Sequence, residues 1–168
     1  MRLVGPAILL LGLSALVQPA RAQEMAVPVA VQVPLLLKVL GFDRALAERA
    51  PAEVVVGVLY QGRYRTSSRV ADEVRDALSA GPATIAGAAT RVVTIDLDLA
   101  DDLGAALLQS GVHVLYVTPL RAVGVDRVAA TADARHVTTM TGVAQYVEEG
   151  VTIGIDQRGE HPQIVVNL

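Results

Sequence analysis

Short apolar runs rich in β-branched residues recur along this chain, and helical patterns separate them. The first run, Glu53–Tyr60, is apolar at almost every position, which is typical of a strand buried on both faces of a parallel sheet. Further strands are predicted at residues 91–97, 112–117 and 136–141. Strands that alternate with helices favour right-handed βαβ crossovers. The sequence therefore predicts a three-layer α/β fold, with a mostly parallel sheet and helices on both faces.

The predicted helices begin at capping residues and end at helix breakers. The first covers residues 34–49, with Pro34 in its first turn, where a missing N–H costs little, and a break near Gly41 that divides it into two pieces. The later helices are predicted from Ser67 or Ser68 to about Ala80 with a stop at Gly81-Pro82, from Asp98 or Asp101 to Gly111, around residues 121–134, and as one or two turns in residues 142–149.

The end of the chain departs from this alternation. Residues 151–156 and 163–168 read as strands, and the polar residues 157–162 between them read as a turn. Gly159 can adopt the positive φ that such a turn needs. We expect a C-terminal antiparallel hairpin at the edge of the sheet.

The first 22 residues are typical of a signal peptide. Arg2 is followed by an apolar stretch at residues 3–16, which is too short for a bilayer span, and Ala20-Arg21-Ala22 places small residues where a signal peptidase reads them. We expect cleavage after Ala22. We expect the product to be exported, not to be inserted in the membrane, and to consist of a single domain at residues 23–168.

Charge and cysteine content exclude several classes of function. The net charge is −3 and becomes −5 once Arg2 and Arg21 are removed, which argues against nucleic acid as a partner. The chain has no cysteine. Disulfides, thiol catalysis, cysteine-based zinc sites and a lipid anchor on cysteine are therefore excluded.

The loop after the first strand is the best candidate for a binding site. In open α/β sheets, ligands bind at the carboxyl ends of the strands, where the strand order reverses. The loop at residues 61–68 has one glycine and matches no phosphate-binding motif, and an ordinary polar loop remains an alternative interpretation. The predicted ligand-binding or partner-binding residues are Arg63, Tyr64, Arg65 and Ser67, with Thr118 and Thr141 expected at the same edge.

Motifs for catalysis or metal binding are missing from the sequence. The three histidines form no i,i+4 pair, and no serine lies in a G-x-S-x-G elbow. The acidic cluster after the second strand suits helix capping better than calcium binding. We therefore expect no enzymatic activity, no catalytic residue, no cofactor and no metal. The histidines are His113, His136 and His161, and the acidic cluster is Asp96, Asp98, Asp101 and Asp102.

Several segments together resemble the YfiR-like family of exported bacterial proteins. Residues 150–168 show the family's Gly-apolar strand, polar turn and second strand ending in Asn-Leu. Residues 35–44 are similar to its first helix, 54–60 to its first strand, 112–119 to its apolar-Tyr-Val strand, and 139–142 to the segment before the Gly-rich strand. The resemblance implies a protein that binds the periplasmic domain of a membrane-bound diguanylate cyclase and represses it.

Two departures from the family bear on this expectation. The family often has cysteines, and its members usually continue beyond Asn-Leu with a helix, whereas this sequence ends at Leu168. An uncovered sheet edge would favour a homodimer or another partner. The resemblance implies a regulator of a diguanylate cyclase or a sensor kinase. The alternative is a periplasmic module that binds an anion or another small solute, resembling one lobe of a solute-binding protein.

Overall fold

A mixed seven-stranded sheet lies between two layers of helices in the computed structural model, which describes residues 25–80 and 84–167. The strands are β1 (Glu53–Tyr60), β2 (Thr84–Ile85), β3 (Ala88–Asp96), β4 (Val114–Val117), β5 (Thr138–Thr141), β6 (Ile153–Arg158) and β7 (His161–Val166). The helices are α1 (Val29–Leu40), α2 (Arg44–Arg49), α3 (Arg65–Ser79), α4 (Leu103–Ser110), α5 (Val125–Asp133) and α6 (Gln145–Glu148). The proposed signal segment and the helix stop at Gly81-Pro82 lie outside the described residues.

The strand order is β2-β3-β1-β4-β5-β6-β7, in which β1 pairs in parallel with both β3 and β4. The chain moves from β1 to β3 on one side and then crosses back to β4 on the other, so the topological switch point lies between β1 and β4. β2 and β7 are antiparallel edge strands, and β6 and β7 form the C-terminal hairpin. The predicted α/β fold with a mostly parallel sheet is confirmed.

Each face of the sheet carries its own apolar cluster. On β1, Val54, Val56 and Val58 face the cluster under α1, α2 and α3, whereas Val55 and Leu59 face the cluster under α4, α5 and α6. The buried pattern of β1 therefore follows from helices on both faces. Complete burial of one such side chain contributes about 1.5–3 kcal/mol.

The first helix begins earlier than the sequence predicted. α1 starts at Val29, so Pro34 lies inside the helix and the prediction that it occupies the first turn is wrong. Val29, Val33 and Leu36 bury one face of α1, and Pro34 is exposed on the other, where water can satisfy the carbonyl that the proline leaves unpaired. The predicted break is confirmed, because α1 ends before Gly41 and Asp43 caps α2.

The predicted caps of α3 and α4 were wrong. Tyr64 is the N-cap residue of α3, and Ser67 and Ser68 lie within that helix. Asp102 caps α4 by accepting hydrogen bonds from the backbone N–H groups of Gly104 (2.7 Å) and Ala105 (3.2 Å), and neither Asp98 nor Asp101 takes this role. Asp98 is turned toward the loop after β1 instead.

Several boundaries shift because of turns that the sequence pattern did not show. β3 begins at Ala88 because a tight β2–β3 turn uses positive φ at Ala86 and Gly87. His136 has φ +55 and precedes β5, although the sequence placed it in the strand. Ala122, also at positive φ, lies in a loop that delays α5.

The hairpin turn is shorter than predicted. The β6–β7 register extends to Arg158 opposite His161, which leaves only residues 159–160 between the strands. Gly159 has the predicted positive φ, +61. Pro162 was assigned to the turn but lies within β7, because an edge strand tolerates a residue without an N–H on its open side.

Within the described part of the chain, no helix is long and apolar enough to cross a membrane.

Candidate functional site

The predicted site residues meet at the carboxyl ends of β1, β4 and β5. Thr118 directly follows β4, Thr141 ends β5, and Ser67 lies in the first turn of α3, which follows β1. The switch point between β1 and β4 therefore brings together residues that are far apart in sequence. Ser67, Thr118 and Thr141 are completely buried.

Ser67 and Thr118 are linked in one hydrogen-bonded chain. The backbone N–H of Gln61 donates to Ser67 Oγ (2.9 Å), which lies 2.7 Å from Thr118 Oγ1. Thr118 Oγ1 in turn donates to the carbonyl oxygen of Leu59 (2.8 Å). Since the Thr118 proton goes to Leu59, the hydroxyl of Ser67 is the donor between the two. These hydroxyls tie α3 to β1 and β4.

Thr141 has a comparable internal role. Its hydroxyl donates to the carbonyl oxygen of Val117 (2.8 Å) and accepts from the backbone N–H of Val143 (3.1 Å). It thus connects the end of β5 to β4 and to the segment that leads into α6. Ser67, Thr118 and Thr141 therefore make internal contacts that hold together the elements at the carboxyl ends of the strands.

Two carboxylates at the end of β3 and just after it hold the loop that follows β1. Asp96 Oδ1 accepts from the backbone N–H of Gly62 (2.9 Å), and Asp98 Oδ2 accepts from that of Arg63 (2.7 Å). A Cβ on Gly62 would collide with the Asp96 carboxylate, so a larger residue here would displace that carboxylate from its present position. The protein's own carboxylates occupy the amides that a bound anion would use.

The side chains that this loop presents outward are basic and aromatic. Arg63 and Arg65 are exposed, and Tyr64 is half-buried between them. Within residues 25–80 and 84–167, neither guanidinium makes an ion pair with a carboxylate. Both charges therefore face solvent, that of Arg63 on the fixed loop and that of Arg65 at the first residue of α3.

Arg121 lies beside the same loop and was missed in the sequence, and Gln61, which belongs to the predicted loop, was not among the predicted site residues. The backbone N–H of Arg121 donates to Gln61 Oε1 (2.6 Å), which joins the loop after β4 to the loop after β1. Arg121 is exposed and adds a third positive charge. The position of Arg121 soon after Thr118-Pro119, at the end of a predicted strand, was the available signal. We call Arg63, Tyr64, Arg65 and Arg121 the arginine surface.

A groove of about 360 Å³ lies beside this surface. Its walls are the segment before α1 at residues 25–29 and the first turns of α3, with Pro119 at one end. Arg69 and Glu73 line it and form an exposed i,i+4 ion pair (2.6 Å). The groove is thus partly apolar and close to electrically neutral.

Buried tyrosines hold the neighbouring segments in place. Tyr116 donates its hydroxyl proton to Gln32 Oε1 (2.8 Å), and Gln32 Nε2 donates to the carbonyl oxygen of Val27. A Cβ on Gly142 would collide with the Gln32 amide, so a larger residue there would displace this amide from Tyr116 and Val27. Burial raises the pKa of Tyr116, and burial raises that of Tyr146 to about 12. Both phenols therefore keep their protons at neutral pH.

The histidines lie away from the buried hydroxyls. His113 and His136 precede β4 and β5, at the amino ends of the strands, and His161 lies at the start of β7. The structure therefore brings no histidine to Ser67 or Thr118. Among the described residues, no three histidine, aspartate or glutamate side chains are grouped to hold a metal ion.

Comparisons with known proteins do not assign the chain to a family. No family model matches the sequence, and no curated protein matches it. Among solved structures, it is similar to the pyridoxal-5'-phosphate dependent protein YhfS from Escherichia coli, with 16% identity, a TM-score of 0.40, and coverage of 67% of this chain and 31% of that chain. This chain thus spans about a third of that protein's length, and so weak a likeness indicates no function.

Proposed function

We propose that this chain is a periplasmic regulatory protein that binds the periplasmic part of a membrane-bound signalling protein, of the diguanylate cyclase or sensor kinase type, and modulates it. The observation that carries the proposal is the arginine surface. Arg63 is exposed on a loop that Asp96 and Asp98 fix at the switch point of the sheet, and Arg65 is exposed at the start of α3, directly after that loop.

The fixed loop suits recognition of another protein. Binding costs less when the contacting side chains stand on a backbone that is already ordered. Arginine and tyrosine are also enriched among the residues that dominate protein–protein interfaces. The arginine surface therefore fits an acidic patch on a partner domain.

The contacts of the buried hydroxyls favour a binding function over a catalytic one. A nucleophilic serine or threonine needs a base within hydrogen-bond reach to take its proton. The hydroxyl of Ser67 donates to Thr118, that of Thr118 donates to the carbonyl oxygen of Leu59, and neither faces a histidine. Their arrangement stiffens the platform under the arginine surface.

Capture from the cell envelope tests the proposal. The tagged chain is incubated with detergent-solubilised envelope, and retained proteins are identified by mass spectrometry. We expect the wild type to retain a membrane protein with a periplasmic domain, and the double variant Arg63→Ala, Arg65→Ala to retain at least about tenfold less.

A charge-matched variant controls for the loss of two positive charges. Arg44→Ala, Arg127→Ala removes two exposed arginines outside the arginine surface and should retain the partner like the wild type. If both double variants retained equally little of the partner, the loss of net charge would explain the effect and the arginine surface would not. Retention of no membrane signalling protein by the wild type would contradict the proposed function.

The anion-binding alternative predicts a different result. A free anion at 100 times its Kd would stabilise the fold by about 2.7 kcal/mol, and the gain would disappear in Arg63→Ala, Arg65→Ala. We expect phosphate and sulfate to leave the melting temperature unchanged, because the loop amides of Gly62 and Arg63 are already bonded to carboxylates. A shift that depends on the two arginines would favour the alternative.

A further inference from the structure

Among residues 25–80 and 84–167, no strand pairs with the outer side of β7, the last strand of the sheet. Ile164 and Val166 are 41% and 47% exposed, and residues 162–166 carry no formal charge. Edge strands in natural proteins are usually protected by charged side chains, bulges or very short length. The opposite edge, β2, has two residues, whereas β7 has six, with one proline, Pro162, near its start.

The alternation of hydrogen-bonded and non-hydrogen-bonded pairs between β6 and β7 determines which backbone groups of β7 point away from β6. The backbone N–H of Asn167 donates to the carbonyl oxygen of Thr152 (2.9 Å), so this pair is a hydrogen-bonded one. Pairs alternate along an antiparallel ladder. Ile164 and Val166, which lie opposite residues 155 and 153, therefore turn their N–H and C=O groups away from β6.

We propose that β7 pairs antiparallel with β7 of a second copy of this chain, with Val165 opposite Val165 at the twofold axis. In this register Ile164 of each copy lies opposite Val166 of the other. Their outward N–H and C=O groups exchange about four hydrogen bonds, two at each Ile164–Val166 pair. Pro162, which has no N–H to donate, falls outside these bonds.

The side chains of this strand complement themselves in the same register. Ile164 meets Val166 of the other copy on one face of the sheet, and Val165 meets Val165 on the other face, so the three central pairs join β-branched apolar residues, with Gln163 opposite Asn167 at each end. The stretch is uncharged, so no like charges are brought together. One strand thus supplies both halves of the interface, as a twofold dimer requires. The inference concerns β7 and does not rest on the proposed function.

Sedimentation of the purified full chain over a range of concentrations tests the dimer. We expect the wild type to dimerise and Ile164→Lys to raise the dissociation constant of the dimer at least about tenfold. Leu99→Lys places the same charge at an exposed leucine outside β7 and should leave the constant unchanged. Circular dichroism checks that both variants are folded. A wild type that stays monomeric, or equal effects of the two lysines, would overturn the proposal.

Single cysteines test the register, because the chain has no cysteine of its own. The two Val165 residues form a non-hydrogen-bonded pair, whose Cα separation of about 4.5 Å permits a disulfide. Mild oxidation should therefore link Val165→Cys into a covalent dimer. Gln163→Cys lies on the same face and should remain unlinked, because it lies opposite residue 167 of the other copy. Linking of Gln163→Cys in preference to Val165→Cys would overturn the register.

Discussion

At the scale of single residues, His113 couples the stability of the sheet to pH. Its Nδ1 atom accepts a hydrogen bond from the backbone N–H of Val55 (3.1 Å), which requires that nitrogen to be unprotonated. Burial lowers the pKa of His113 below its usual 6.5, and Arg49 and Arg91 lower it further, whereas Glu53 acts in the opposite direction. The neutral form is therefore the one that the fold favours.

The sign of the pH dependence follows from this lowered pKa. As the pH falls below 6.5, the unfolded state takes up a proton on His113 before the folded state does, so the folded state loses stability. The stabilising contribution is complete above pH 6.5 and is lost as the pH falls toward the folded-state pKa.

Urea denaturation at about pH 7.5 and about pH 5.5 measures this effect. His113→Asn is the informative variant, because its amide oxygen can replace Nδ1 as the acceptor and does not titrate. We expect the wild type to lose more stability than the variant between the two pH values. Equal losses would show that other groups control the pH dependence.

At the level of secondary-structure elements, two neighbouring aspartates at the start of α4 have different roles. Asp102 accepts hydrogen bonds from two backbone N–H groups of the first turn, whereas Asp101, which is likewise exposed, is not the cap residue of α4. Asp102→Ala should lower the free energy of unfolding by about 1 kcal/mol, and Asp101→Ala should change it by less than about 0.5 kcal/mol. Chemical denaturation of both variants makes the comparison. An equal loss from Asp101→Ala would contradict the observed cap.

The elements with strong local patterns were predictable, and those defined by tertiary contacts were not. The predictions of β1 and of the C-terminal hairpin were confirmed. A strand buried on both faces needs an unbroken apolar run, and a tight hairpin turn needs a residue such as glycine, and both patterns can be read in the sequence. The start of α1 and the β2–β3 turn were missed. Val29 resembles any apolar residue of a lead segment, and positive φ at Ala86 has no sequence signal.

The candidate site, too, was predictable only in part from the sequence. The sequence placed the loop of Arg63 and Arg65 at the carboxyl edge, since that follows from strand order alone. It did not show that Asp96 and Asp98 would occupy the loop amides, because that contact joins segments more than 30 residues apart. The internal role of Ser67 likewise depends on where Thr118 lies in the folded sheet.

At the scale of the whole molecule, three surfaces are separated by the topology of the sheet. The carboxyl edge carries the arginine surface, the amino edge carries His113 with Arg49 and Arg91, and the lateral edge is β7. Because these surfaces use different elements, a partner can bind at the carboxyl edge while β7 pairs with a second copy. A regulator that is both dimeric and receptor-binding is consistent with this arrangement.

Photo-crosslinking in living cells tests whether the arginine surface contacts a membrane signalling protein. A benzophenone amino acid in place of Tyr64 lies within the arginine surface, and the same replacement at exposed Phe42 is the matched control. The proposed function predicts that irradiation links position 64, but not position 42, to a membrane signalling protein through its periplasmic domain. No adduct at position 64, or equal adducts at both positions, would contradict it.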